Sequence, residues 1–302
     1  MKILIIGSEG FIGSHCVDFF LSTGHFVSGL DLYEQPSKRY VYTKITRLSP
    51  EFDEVFGSGQ FDAVINASGS SNVSYSMAHP LSDFEANCLD TIRVLDAIRK
   101  HQKDCRYIHL SSAAVYGNPA KLPVQETDPL LPISAYGWHK LIAENLCREY
   151  SSLYKLNIAI LRPFSVYGPG LKKQLFWDLF QKSRDRQGKF ELFGTGKESR
   201  DYIHINDLVR AVACVLEKAA MRGEAYNIAP GNETTIEKVV DIFFSALSLQ
   251  PDYFFNGQVR SGDPLNWCAD TRKINQLGFS CEIDLLQGMK EVAACLKELD
   301  LG

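Results

Sequence analysis

Apolar residues gather in short runs that alternate with longer stretches of helical spacing through the first half of the chain. The runs Lys2–Ile6, 26–30, Ala63–Asn66, 107–110 and 158–161 predict buried strands. Between them Phe11–Ser22, roughly 81–100 and Ala135–Tyr154 carry apolar residues at the helical period. In the last of these, Leu141, Leu146, Tyr150 and Leu153 are expected to share one buried stripe. Strand–helix–strand repetition predicts an α/β fold with right-handed crossovers and a doubly wound parallel sheet. Ligands of such sheets bind at the carboxyl ends of the strands.

The second half is less regular. Pro163 and the Gly168-Pro169-Gly170 cluster interrupt it, and helical patterns follow at 176–186, 208–220 and 235–247. These predict a cofactor-binding domain over residues 1–164, to which roughly 200–220 return, and a smaller mixed α/β substrate lobe over 165–302.

Charge and cysteine usage narrow the functional classes. The 302 residues carry a net charge of -4 with no basic run, so nucleic acid is not an expected partner. The apolar start stops at Gly7, and no stretch approaches the ~20 apolar residues of a membrane span. The eight cysteines are scattered, without CxxC pairs or histidines at ligand spacing. They read as reduced thiols of a cytoplasmic protein and give no metal site.

Gly7-Ser8-Glu9-Gly10-Phe11-Ile12-Gly13 follows the first strand and opens the first helix. A tight glycine turn there lets the backbone approach a pyrophosphate, with the free N–H groups of the helix start aimed at the anion. Asp31 ends the next strand, where a carboxylate either accepts from both adenosine ribose hydroxyls or caps a turn. The first alternative favours NAD over NADP.

Tyr136-Gly137-Trp138-His139-Lys140 puts a tyrosine and a lysine one turn apart on a predicted helix. A free phenol has a pKa of about 10, too high for a base at neutral pH, and a neighbouring ammonium favours its ionised form. Ser112, at the end of the strand that includes 107–110, is placed to hydrogen-bond a reacting oxygen. Together these residues point to oxidation or reduction of a hydroxyl group with Tyr136 as base and Lys140 on the nicotinamide ribose.

The GxxGxxG spacing and the Tyr-x-x-x-Lys motif resemble the extended short-chain dehydrogenase/reductases, which have a Rossmann fold. Ser111 to Gly117, Leu161 to Pro169, and Gly194-Thr195-Gly196 followed by Arg200-Asp201-Tyr202-Ile203-His204 are similar to motifs of the nucleotide-sugar epimerases and dehydratases. Within that family the chain looks most like the UDP-glucose 4-epimerases. The resemblance implies that Asn87 supports the cofactor site and that Ser165, Gln174, Arg200, Arg260 and Asp263 contact a nucleotide-diphosphate sugar. Read without it, Arg260-Ser261-Gly262-Asp263 is a polar turn with two charges. It also implies a homodimer, with the helices over 81–100 and Ala135–Tyr154 pairing with their copies.

Three positions depart from the family pattern. Ala113-Ala114 replace the acidic pair that 4,6-dehydratases use, which argues against dehydration. Ser165 stands where many relatives carry an asparagine, and Tyr42-Thr43-Lys44-Ile45 lacks the Asp-Ile pair that often contacts adenine. The leading expectation is a nucleotide-sugar 4-epimerase that removes and returns hydride through a keto sugar. A one-way 4-ketoreductase or 4-dehydrogenase uses the same residues. A non-catalytic NAD-sensing protein would also share the fold.

Overall fold

Along the first strand Leu4 and Ile6 enter one apolar cluster and Ile3 and Ile5 another, so both faces of the sheet are covered. The computed structural model describes residues 1–34, 39–46, 51–184, 189–258 and 262–301. The chain begins with β1 (Lys2–Ile6), α1 (Phe11–Ser22), β2 (Phe26–Asp31), β3 (Val41–Lys44), α2 (Phe52–Ser58) and β4 (Ala63–Asn66). There follow α3 (Val73–Ala78), α4 (Pro80–Phe84), α5 (Asp90–His101), β5 (Arg106–Leu110), α6 (Ala135–Tyr154) and β6 (Asn157–Pro163). Beyond Pro163 come β7 (Ser165–Tyr167), α7 (Gln174–Arg184), β8 (Phe190–Leu192), β9 (Ser199–His204) and α8 (Ile205–Lys218). The chain ends with β10 (Arg222–Ile228), β11 (Glu233–Thr235), α9 (Ile236–Leu247), β12 (Tyr253–Phe255), α10 (Arg272–Asn275) and α11 (Leu285–Leu301).

The main sheet has seven strands in the order β10-β6-β5-β4-β1-β2-β3, all pairs parallel. This is the doubly wound Rossmann arrangement expected from the sequence. The winding reverses between β1 and β4, where Ile6 stands level with Asn66, so a crevice opens at their carboxyl ends. Apolar residues of α1 and α8 cover one face and those of α2, α5 and α6 the other. A separate cluster built on Phe176, Leu179, Val240, Phe243, Met289 and Val292 forms the smaller lobe, beside short strands in mixed orientation.

Three details differ from the sequence reading. The helix expected over 81–100 is broken: α4 starts with Pro80 at its first position, a π-helical turn occupies Glu85–Leu89, and α5 follows. The wide turn carries Asn87, whose side chain and carbonyl are engaged by Asp83 and Thr91. The buried stripe of α6 is Tyr136, Lys140, Ala143, Cys147 and Tyr150, while Leu153 is exposed, because the helix lays its Tyr136–Lys140 motif against the sheet. The return to the main sheet extends beyond 220, since β10 supplies its edge strand.

Candidate active site

The glycine turn is shaped by close backbone approach. Gly7 has φ +81, and a Cβ there would fall 2.9 Å from Ala67 on the loop after β4. A Cβ on Gly13 would fall 1.9 Å from the Gly7 carbonyl oxygen, so only glycine lets α1 start this close to β1. Gly10 is the residue before α1, and Phe11 and Ile12 open the helix against the main core. Asp31 is buried at the end of β2, where its carboxylate accepts from Glu9 N at 2.9 Å and Leu32 N at 2.6 Å. It therefore braces the glycine turn as well as lying beside it. Asn87 Oδ1 is buried without a hydrogen-bond partner, and a Cβ on Gly69 would fall 2.5 Å from it. A glycine cradle, a strand-end carboxylate and an orphaned amide oxygen fit a dinucleotide at this crevice.

Ser112, Tyr136 and Lys140 converge beyond β5. Ser112 caps a short 3-10 turn over Ala113–Tyr116 and accepts from Ala114 N at 3.1 Å, leaving its own proton to donate. Ser134 caps α6 by accepting from Gly137 N at 3.1 Å, which sets Tyr136 and Lys140 in the first turns. Lys140 Nζ lies 5.9 Å from the centre of the Tyr136 ring and donates to the Leu110 carbonyl at 3.0 Å.

Burial dominates the electrostatics. It pushes the Tyr136 phenol up to about 12, with hydrogen bonding from Ser112 working downward and the Asp83 charge upward. Burial pulls Lys140 down to about 8, opposed first by Asp83. The tyrosine thus needs added positive charge to serve as a base, which a nicotinamide ring would supply. Ala113 and Ala114 are buried in a cluster with Tyr116, Tyr136, Phe164 and Trp267, and they present no acid or base.

The residues expected at the substrate are distributed as follows. Ser165 starts β7, half-buried and level with Tyr202. Gln174 is exposed at the start of α7 with a left-handed φ of 65. Arg200 donates to the Ser199 carbonyl at 2.8 Å and lies over the Trp267 ring at 5.6 Å. Burial lowers its pKa, and Asp263 is among the negative charges that oppose this. Asp201 is turned away: it accepts from the backbone of Gly231, Asn232 and Ala269. Arg260 lies outside the described residues.

The sequence reading missed a layer of buried polar side chains behind the pair. Arg162, Glu144, Ser111, Tyr116 and Asn227 form one network, and Asp83 holds His139. Arg162 in an otherwise apolar strand and His139 inside the Tyr-x-x-x-Lys motif were the available signals. Among the described residues no cluster could hold a metal ion, and no helix is long and apolar enough to cross a membrane.

Comparison with known proteins gives the same picture. A Methanocaldococcus jannaschii protein described as a putative UDP-glucose 4-epimerase is 31% identical over 98% of both chains. A Bacillus subtilis protein described as an uncharacterized UDP-glucose epimerase is 29% identical over the full length of both. The UDP-glucuronic acid 4-epimerase of Bacillus cereus, solved with UDP-glucuronic acid and NAD, superposes with a TM-score of 0.90 at 27% identity, covering 99% of this chain and 100% of that one. Residues 3–229 match the sequence profile of the NAD dependent epimerase/dehydratase family. The chain belongs to that family of NAD-dependent enzymes.

Proposed function

We propose that the protein is a nucleotide-sugar 4-epimerase acting on a UDP-sugar. The observation that carries the reading is the convergence of Ser112, Tyr136 and Lys140 at the end of β5, on the same edge of the sheet as the glycine turn. NAD, when bound, supplies the acceptor and donor of hydride at the sugar carbinol carbon. Tyr136 takes the proton of the 4-hydroxyl and returns it, while Ser112 hydrogen-bonds the same oxygen. Lys140 holds the nicotinamide ribose and favours the phenolate. Gly7, Gly10, Phe11, Ile12 and Gly13 form the pyrophosphate turn, Asp31 takes the adenosine ribose, and Asn87 supports the nicotinamide end. Arg200, Arg260, Asp263, Ser165 and Gln174 are assigned to the nucleotide diphosphate and sugar. Buried Ala113 and Ala114 leave no groups for dehydration.

In this reading residues 1–164 bind NAD together with the returning segment around 200–228, and the rest of 165–302 binds substrate. Two copies pair through α4, α5 and α6. The free cysteines, five of the eight buried, suit the reducing cytoplasm.

Incubation with UDP-glucose and UDP-glucuronic acid, followed by proton NMR, tests the proposal. The C4 epimer is expected without added cofactor, and mass spectrometry of the denatured protein should find NAD. Failure to form either epimer overturns the UDP-sugar epimerase reading. Oxidised or reduced sugar formed only when cofactor is added favours the one-way ketoreductase or dehydrogenase.

A further inference from the structure

Asp83 is a fully buried carboxylate on α4, directly behind the catalytic turn of α6. One of its oxygens pairs with His139 Nδ1 at 2.6 Å, and the other is buried without a hydrogen-bond partner. His139 sits in sequence between Tyr136 and Lys140, so the contact joins α4 to the residues that do the chemistry. Two further bonds fix the same junction: Tyr136 N donates to Ser76 Oγ at 3.0 Å, and Cys88 Sγ donates to the His139 carbonyl at 3.2 Å.

A buried ion is tolerated only with compensation. Among the described residues the Lys140 ammonium has a single hydrogen bond, to Leu110, and two buried carboxylates within electrostatic reach. Glu144 is already committed to Arg162 and Arg148, at 2.7 Å from each. Among the described residues Asp83 is bonded to no arginine or lysine. We propose that Asp83 is the buried counter-charge behind Lys140, and that His139 holds Asp83 in place, both acting as positioning residues behind Tyr136.

The groups around the pair agree with this assignment. Against burial, Lys140 is supported first by Asp83 and then by Cys88, Cys147 and Glu144. His109 on β5 also faces it, held neutral by burial and by Lys140 itself, at about 3. Tyr136 is faced by Ser112 and Asp83. Loss of the Asp83 charge therefore lowers the pKa of Lys140, because an ammonium loses its partner. It also lowers that of Tyr136, because a phenolate loses a like charge. Both limbs of a pH profile should move to lower pH, a signature that mere loosening of the fold does not produce.

The inference rests on Tyr136 and Lys140 being the working pair, so NAD binding is read separately from turnover. Calorimetry of NAD binding to cofactor-free protein across pH 6–10 is compared for wild type, Asp83→Asn, His139→Leu and His139→Gln. Wild-type affinity should fall as Lys140 loses its proton, and Lys140→Met should abolish that limb. Asp83→Asn should move the limb down by about one pH unit, weakening binding about two- to fivefold between the two midpoints and about tenfold above both. His139→Leu should move it the same way, since Asp83 loses the contact that holds it against α6. His139→Gln keeps an N–H for Asp83 and should hold the limb near its wild-type position. If Asp83→Asn unfolds, the two His139 variants decide. A limb that stays in place in folded Asp83→Asn, or that moves equally in both His139 variants, overturns the proposal. A limb that moves as expected in a protein that converts no UDP-sugar overturns the proposed function and leaves this inference standing.

Discussion

The Arg162 guanidinium meets the Glu144 carboxylate edge to edge, Nε to Oε1 at 2.8 Å and Nη2 to Oε2 at 2.7 Å, with both side chains buried. The pair links α6, which carries the catalytic turn, to β6. Ser111 adds a hydrogen bond to Glu144 at 2.6 Å from the residue beside Ser112. Removing one partner leaves an uncompensated buried charge, so Glu144→Ala should destabilise by about 3–5 kcal/mol in urea unfolding. Burial pushes the Glu144 carboxyl up, but Arg162 outweighs it and holds the net pKa low. A depressed folded pKa means stability present at neutral pH and lost as pH falls through that value. The mutant should therefore show a flatter acid limb of stability than wild type. An unchanged melting midpoint would show that the pair holds nothing together.

Tyr136→Phe deletes only a phenolic oxygen. Turnover should fall about 10²–10⁴-fold, the usual span for loss of a general base. NAD affinity and the melting midpoint should stay within error of wild type. Near-native rates on a confirmed substrate would exclude the tyrosine mechanism.

Asp31 is fixed by two backbone N–H groups at the end of β2, so its charge cannot swing away from a ligand at the glycine turn. A 2′-phosphate set against it should cost about 2 kcal/mol or more. Titration of NAD and NADP into cofactor-free protein is expected to show a clear preference for NAD. Equal affinities would remove Asp31 from the ribose site.

Among the described residues Arg200 donates through Nη1 alone. It gives Nη1 to two backbone carbonyls and lies over Trp267, and Asp201 is occupied elsewhere. A charge-assisted contact to a diphosphate would contribute about 1.5–3 kcal/mol. Arg200→Ala should weaken UDP binding tenfold or more and raise KM more than it lowers kcat. Calorimetry with UDP, GDP, CDP and dTDP would identify the base. No binding of any of these to wild type would remove the nucleotide site.

The helices that flank the catalytic motif expose large apolar side chains: Leu81 is 70% exposed, Trp138 51% and Leu153 66%. In the proposed dimer a second copy covers this surface by two-fold symmetry. Light scattering at micromolar concentration should give a dimer mass, and Trp138→Glu should shift it toward monomer. A strict wild-type monomer would rule this out.

Local chemistry explains which features could be read before folding. Five of the seven strands of the main sheet are short apolar runs, and the glycine turn and the Tyr136–Lys140 spacing are contiguous in sequence. These need no knowledge of distant partners. Glu144 and Arg162 escaped notice because each looks like an ordinary charged residue until α6 is laid on β6. Asp83 was hidden for the same reason, and the π-helical turn has no compositional mark beyond Asn87 itself. The misplaced stripe on α6 has another cause. Counting only apolar residues favoured Leu153, whereas the buried face includes the charged residues Lys140 and Glu144.

The place of β10 bears on how the protein is made. Arg222–Ile228 completes the edge of a sheet whose first strand is Lys2–Ile6, and α8 covers one face only after the chain has passed through β7 and β9. During synthesis the amino-terminal strands must therefore wait, with β6 as an unpaired edge, until more than two-thirds of the polypeptide has left the ribosome. A fragment ending near residue 164 would retain that bare edge and an uncovered apolar face. The two ligand-binding regions are consequently not separable modules, and cutting the gene at the apparent boundary should yield insoluble halves.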